Sequence, residues 1–153
     1  MQSTSYKKAF EFAQFASNYV VNTENRETKI VEALQSVIEQ IDEHRERYQK
    51  KLVKIQRKHA AEDKLGCILR DDHGNYRYRK DDEELMEEKI EELFNQEDSV
   101  EFEPDYVDTR SIPAHLPALL RKKFIGFVIQ PHSTPAQNLI NSLPTNQTNQ
   151  SNG

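Results

Sequence analysis

The sequence predicts a mainly helical α+β protein, in which a long central helix takes part in an antiparallel helical hairpin beside a small β-element. Charged residues make up 31% and hydrophobic residues 35% of the 153 residues, a balance typical of long two-sided helices rather than of a thick core. Four glycines and no tryptophan argue against an all-β domain. We predict one helical domain over residues 1–130 and a mobile polar tail, rich in Asn, Gln, Pro and Ser, over 131–153.

The first predicted helix covers residues 5–21. Phe12, Phe15, Ala16 and Tyr19 recur there at spacings of three and four residues, which gives the helix one apolar face. Turn and capping residues follow in the stretch NTENRET, so we expect the chain to break there and restart as a second helix.

That second helix is predicted to be the longest, over residues 25–63. Ile30, Leu34, Val37 and Ile41 follow a 4-3-4 spacing, and neither glycine nor proline interrupts the span. A helix of this kind cannot bury its apolar stripe alone, so we expect it to pack against other helices or other chains.

The stretch LGCILRDDHGNYRYRK, residues 65–80, predicts a β-hairpin over 67–79. CILR and YRYR alternate as strands do, and DDHGN between them is turn chemistry. Gly66 is expected to end the long helix, and Cys67 is expected to be a small buried apolar residue.

An acidic helix is predicted over residues 80–97, capped by Asp81 or Asp82. Its apolar face is made by Met86, Ile90, Leu93 and Phe94. SVEFEPDYV then alternates apolar and acidic residues, which predicts a strand over 99–103 that joins the hairpin in a small sheet.

An apolar C-terminal segment is predicted over residues 114–129, with a short helix near 114–123 followed by FIGFVI. FIGFVI has two interpretations: it completes the core on the helical hairpin, or it docks onto another subunit, because exposed apolar patches mark interfaces. We take the second as the partner-binding prediction, for Phe124, Ile125, Phe127, Val128 and Ile129.

Opposite charges are segregated along the chain. Residues 42–58 hold seven basic and three acidic side chains, whereas residues 81–97 hold nine acidic side chains and one lysine. In an antiparallel hairpin these two runs lie side by side, which favours mutual neutralisation. The alternative is a nucleic-acid surface that also uses the aromatic and basic residues Tyr76, Arg77, Tyr78, Arg79 and Lys80.

Catalytic, cofactor and metal sites are not predicted. DDHGN lacks the ligand pattern of a calcium loop, the five histidines include no HxxxH or HExxH pair, and Cys67 has no partner base in the sequence pattern. The sequence also contains no glycine-rich phosphate loop. We therefore expect a non-enzymatic protein without cofactors.

Location and partners follow from the same patterns. The net charge of −5 makes nucleic acid an unlikely global partner, and FIGFVI is far too short to span a bilayer. The N-terminus MQSTSYKKAFEF lacks the apolar region of a signal peptide. We expect a soluble protein of a reducing cytoplasm whose partners are other protein subunits.

Residues 28–107 resemble small proteins of tailed bacteriophages. The resemblance consists of a long charged helix, the DDHGN insertion, an acidic helix that ends near LFNQE, and the acidic-apolar strand. It implies a structural, assembly or interaction protein of a phage, either a virion component or an assembly factor. Such a protein is made in the host cytoplasm, and a virion component is then incorporated into the particle. The resemblance implies no functional residues. The alternative function is a nucleic-acid-binding or host-targeting regulatory protein.

Overall fold

The computed structural model describes residues 1–24 and 28–131. It confirms the α+β class, because the described chain is mainly helical with a two-stranded antiparallel sheet. The predicted mobile tail lies outside the described residues from position 132 onwards. The elements are β1 (Gln2–Thr4), α1 (Tyr6–Asn22), α2 (Lys29–Asp42), α3 (Arg45–His59), α4 (Lys80–Asn95), β2 (Val100–Phe102), a 3₁₀ turn (Thr109–Ser111) and α5 (Ala118–Phe124).

The described chain groups into two compact units. The first unit combines Met1–Glu11 with Glu39–Phe102, and the second combines Phe12–Ile38 with the part of the chain that begins at Glu103. The single domain over 1–130 stays a prediction.

The predicted helix over 25–63 is wrong in its continuity and in its end. A turn at Glu43 and His44 separates α2 from α3. The His44 N–H donates to the Ile41 carbonyl at 2.9 Å, and helical bonding resumes when the Tyr48 N–H donates to the His44 carbonyl. Neither glycine nor proline occurs at this break. The His44 ring nitrogen Nε2 lies 3.2 Å from the Glu101 carbonyl oxygen. A tertiary contact therefore accompanies an interruption that the local sequence does not encode.

The connection between α3 and α4 holds two copies of one turn, and the predicted 67–79 hairpin is reduced to a single antiparallel bridge, Arg70–Tyr76, around the second turn. α3 ends at His59, before Gly66. The motif Asp-x-x-Gly occurs at 63–66 and at 71–74. In both copies the aspartate Oδ1 accepts two backbone N–H groups, and the glycine adopts a φ of +83°, which glycine reaches without the strain of a Cβ.

Short antiparallel bridges hold these turns together. One bridge joins Glu62 to Ile68, and the other joins Arg70 to Tyr76. Cys67 is exposed, which corrects the expectation that it is buried, because the turn points this short segment into solvent.

The sheet pairs β1 with β2, with Gln2 opposite Phe102 and Thr4 opposite Val100. The predicted strand near 99–103 is confirmed, whereas its expected pairing with the 67–79 segment is wrong. The partner is the N-terminal stretch QST, whose polar residues carry no strand pattern. Val100 and Phe102 are buried, so β2 places its predicted apolar side chains in the interior.

The second unit has an aromatic centre. Phe12 of α1 stacks on Phe127 with ring centroids 4.2 Å apart and meets Phe124 edge-on at 5.8 Å. α5 begins at Ala118, later than the predicted position near 114, because Pro113 and Pro117 disfavour helix before it. The buried apolar residues of this unit also include Ala16, Ile30, Val31, Leu34, Val37, Leu116, Val128 and Ile129.

Candidate functional site

Helices α3 and α4 of the first unit pack against each other and run antiparallel. Tyr48 near the start of α3 lies 5.9 Å from Phe94 near the end of α4, measured between ring centroids. At the other end, the Ala61 N–H donates to the Arg77 carbonyl at 2.8 Å. The structure thus confirms the predicted antiparallel pairing of the two charged helices. We call these two helices the helix pair.

An aromatic cluster anchors the start of α3. The Tyr48 ring lies 4.9 Å from the Tyr6 ring and 5.4 Å from the Phe10 ring. Burial raises the pKa of the Tyr48 hydroxyl, and the neighbouring Tyr6 raises it further. Two basic residues of α3 contact this cluster. The Arg45 guanidinium lies over the Phe10 ring, and the Lys51 ammonium donates to the Tyr6 hydroxyl at 3.2 Å.

The rest of the helix pair is thinly covered. No residue of α3 is buried, and Met86 is the buried residue of α4. Leu52 and Ile55 are half-buried, and Leu85 of α4 is 45% exposed. Fifteen residues of α3 are too few to hold a stable helix in isolation, so this seam and the aromatic cluster stabilise it.

Basic residues predominate on one face of α3. Its exposed basic residues recur at spacings of three and four, which places them on one side of the helix. We call this set the basic stripe: Arg47, Lys50, Lys54, Arg57 and Lys58.

Acidic residues predominate on one face of α4. Its exposed carboxylates also recur at spacings of three and four, on the side away from the apolar seam. We call this set the acidic stripe: Asp81, Glu84, Glu88, Glu91 and Glu92.

The two stripes do not neutralise each other at contact distance. Within residues 1–24 and 28–131, no ion pair of 4.0 Å or less joins α3 to α4. The ion pairs present on these helices are local, such as Lys50–Glu46 at 3.3 Å and Lys89–Glu92 at 3.6 Å. Both stripes therefore present their charge to solvent, and the expected direct neutralisation is not formed.

The aromatic and basic residues predicted for nucleic acid do not form an open stacking surface. Arg77, Arg79 and Lys80 are exposed, whereas Tyr76 and Tyr78 are half-buried. The Arg70 guanidinium covers the Tyr76 ring at 4.5 Å, and burial is the main cause of the raised pKa of Tyr78. The rings that would stack on bases are thus partly occupied by the protein itself.

The segment predicted to bind a partner is mostly interior. Phe124, Phe127, Val128 and Ile129 are buried, and Ile125 is 37% exposed. Gly126, with a φ of +92°, turns the chain so that its N–H donates to the Ile129 carbonyl. Docking of a partner through this segment stays a prediction. Of its five apolar side chains, only Ile125 is exposed enough to contact a partner.

A cavity of about 750 Å³ lies in the second unit and is lined by residues that include Phe15, Tyr19, Leu120 and His115. Among the residues the structure describes, no group of three His, Cys, Asp or Glu side chains is arranged to hold a metal ion.

Comparison with protein-family models, with curated proteins and with solved structures finds no match to this chain. None of the described helices has both the length and the apolar composition needed to cross a bilayer. Sequence analysis anticipated the helix pair and its segregated charges. It missed that both stripes face solvent, because a spacing of three and four places residues on one face of a helix without showing what that face meets.

Proposed function

We propose that the protein is a non-enzymatic interaction protein and that the helix pair is its partner-binding surface. The observation that carries this proposal is α3, a helix without a buried residue that bears an exposed basic stripe along its length. Such a helix contributes little to a core, so its charged side chains are available to a partner. Complementary charge across an interface increases association rates and selects partners.

The setting in which this surface acts is also a proposal. The resemblance of residues 28–107 to small tailed-phage proteins supports a virion component or an assembly factor. Such a protein would be made in the host cytoplasm and bind other phage subunits. Ile125, which is partly exposed on an otherwise buried segment, is available for a minor apolar contact with the same partners.

A second candidate is a nucleic-acid-binding or host-targeting regulator, favoured by the exposed basic stripe. Five basic side chains along one helix face suit contacts with phosphates. The acidic stripe of the neighbouring helix opposes this function, because it repels the same phosphates and lies on the same helix pair. Protein partners therefore remain the stronger proposal.

Mass spectrometry of purified particles and of assembly precursors tests the proposal in a phage that encodes the chain. The wild-type protein is expected in one or both fractions. The variant Lys54→Glu/Lys58→Glu, which breaks the basic stripe, is expected to be lost from them. Lys7→Glu/Lys8→Glu is the matched control, because it makes the same charge change on exposed residues of α1. Absence of the wild-type protein from both fractions would contradict the proposal.

A further inference from the structure

We infer that the cavity of the second unit is a docking site for the chain's own segment 138–143, NLINSL. This segment lies outside the described residues, whereas the cavity is lined by described residues of α1, of α5 and of the loops beside them. The inference is independent of the helix pair, because the lining residues belong to the second unit.

The wall of the cavity is apolar and only partly covered. Phe15 and Tyr19 are four residues apart on α1, which places them on the same face of that helix. Together with Pro113 and Leu120 they line the cavity, and all four residues are half-buried. The volume of about 750 Å³ is in the range of pockets that hold drug-sized ligands. The wall therefore offers both apolar surface and room for several aliphatic side chains.

The rim of the cavity is mostly uncharged. Among the described residues, amide and hydroxyl side chains provide most of the polar lining, next to one carboxylate and one imidazole: Asn18, Asn22, Thr23, Thr28, Glu24 and His115. Amides and hydroxyls both donate and accept hydrogen bonds. Such a rim suits an apolar occupant that is flanked by polar but uncharged groups.

The chain beyond Pro131 has this composition. Residues 132–153 contain no Asp, Glu, Lys or Arg, and their large apolar side chains are those of Leu139, Ile140 and Leu143. Spacings of one, three and four residues place these three side chains on one face of a helical turn. The other residues of NLINSL are asparagine and serine, which match the amide and hydroxyl groups of the rim.

The described chain comes close to the cavity just before this segment. The Ile129 N–H donates to the Phe124 carbonyl at 3.2 Å. Phe124 follows Leu120 by four residues of α5, a rise of about 6 Å. The Phe124 ring also lies 6.1 Å from the Tyr19 ring, measured between centroids. Phe124 thus connects Ile129 to two lining residues, Leu120 and Tyr19.

The chain that follows is long enough to return to the cavity. Leu139 is the eighth residue after Pro131, and eight residues span up to about 26 Å when extended. A segment tethered at so short a distance has an effective concentration on the order of millimolar. Weak apolar contacts are then sufficient to hold it against a separate molecule, so the chain's own segment is the occupant that the geometry favours.

A single tryptophan tests this docking, because the natural chain contains none. Ile140→Trp in the full chain places a fluorescent reporter within NLINSL and keeps a large apolar side chain there. Asn18→Arg in the same background puts a long charged side chain into the rim of the cavity. Ser17→Arg is the matched control, because Ser17 is also exposed on α1 but lies outside the cavity lining.

Tryptophan emission and acrylamide quenching are measured over a range of protein concentrations, and circular dichroism shows that each variant is folded. With Ile140→Trp alone, we expect emission at shorter wavelength than that of N-acetyltryptophanamide and reduced quenching, both independent of protein concentration. Added Asn18→Arg should return both readouts to those of the free compound. Added Ser17→Arg should leave both readouts unchanged.

Three results would overturn the inference. Emission and quenching equal to those of the free compound with Ile140→Trp alone would show that the segment does not dock. Shielding that Asn18→Arg leaves unchanged would place the segment elsewhere and leave the cavity to another ligand. Shielding that appears only as protein concentration rises would show that the segment binds a separate chain rather than its own.

Discussion

Single aspartates shape the connection between α3 and α4. The Asp71 carboxylate accepts the backbone N–H groups of His73 at 2.8 Å and Asn75 at 3.0 Å. These bonds, led by the one from Asn75, hold the pKa of Asp71 below its ordinary value. A charged acceptor makes stronger bonds than a neutral one, so the ionised form favours the folded turn. The DDHGN stretch was correctly predicted as a turn, because aspartate followed by glycine provides both the acceptor and the positive φ.

The pH dependence of this turn follows from the direction of that shift. A carboxyl whose pKa is lowered by folding stabilises the turn above its unfolded pKa of about 3.9, and this contribution is lost as pH falls through the lower, folded pKa. We expect the His73 and Asn75 amides to lose protection from hydrogen exchange in acid. Carbon-13 NMR titration of the Asp71 carboxyl measures the pKa directly. Asp71→Ala should weaken the protection at neutral pH more than Asp71→Asn, which keeps an acceptor oxygen. A pKa at or above the ordinary value would contradict this account.

The Phe127 side chain tests the interior position of FIGFVI. It is buried and stacks on Phe12, so Phe127→Asp would place an unpaired charge inside the second unit. We expect loss of helical circular dichroism and a fall in thermal stability. Ile125→Asp, at the partly exposed position, should keep the fold. If Phe127→Asp dissociated an oligomer while leaving the helical content unchanged, the segment would be a docking surface instead.

Periodicity predicted α1, α4 and the strand near 99–103, whereas the pairing of that strand and the break in the long helix were not predicted. The apolar spacing of residues 5–21 and 80–97 closely anticipates α1 and α4. A helix that buries one face has apolar residues at a period of 3.6, and this period is visible in the sequence. β1 carries no comparable pattern, since its residues Gln2 and Ser3 are exposed and its pairing is supplied by the backbone. The break at His44 is accompanied by a contact with Glu101, 57 residues away, which no local window can contain.

Burial separates the contributions of α2 and α3 to stability. Leu34 of α2 is 0% exposed, so Leu34→Ala should lower the free energy of unfolding by about 3 kcal/mol. Leu52 of α3 is half-buried, so Leu52→Ala should lower it by about 1 kcal/mol, less than a fully buried seam would imply. Urea denaturation monitored by circular dichroism compares the two variants. Equal losses would show that the helix pair is more tightly packed than its exposure indicates.

At the scale of the whole molecule, segregated charge rather than net charge defines the surface. The net charge is −5, yet α3 bears a continuous basic stripe and α4 a continuous acidic one. The sequence was sufficient to locate both runs. It was not sufficient to show whether they meet each other or face solvent, because that depends on the rotation of each helix about its own axis.

The acidic stripe should keep nucleic-acid binding weak. With about three phosphate contacts from the basic stripe, affinity for duplex DNA should fall about 40-fold between 50 and 200 mM salt. Fluorescence anisotropy with two unrelated duplexes measures this salt dependence and any sequence preference, and Lys54→Glu/Lys58→Glu should abolish the residual binding. Tight, salt-resistant binding with a sequence preference would make the regulator the better assignment.

Hydrogen–deuterium exchange of the wild-type protein, free and in assembly precursors from a phage that encodes the chain, tests the central claim most directly, because it shows where a partner binds. If the helix pair is the contact surface, peptides from α3 and α4 will exchange more slowly in the precursors, and added salt will reverse the change. Peptides from α5 will exchange equally in both samples. Unchanged exchange in α3 and α4, with slowing confined to the segment around Ile125, would contradict the claim and return the partner contact to FIGFVI.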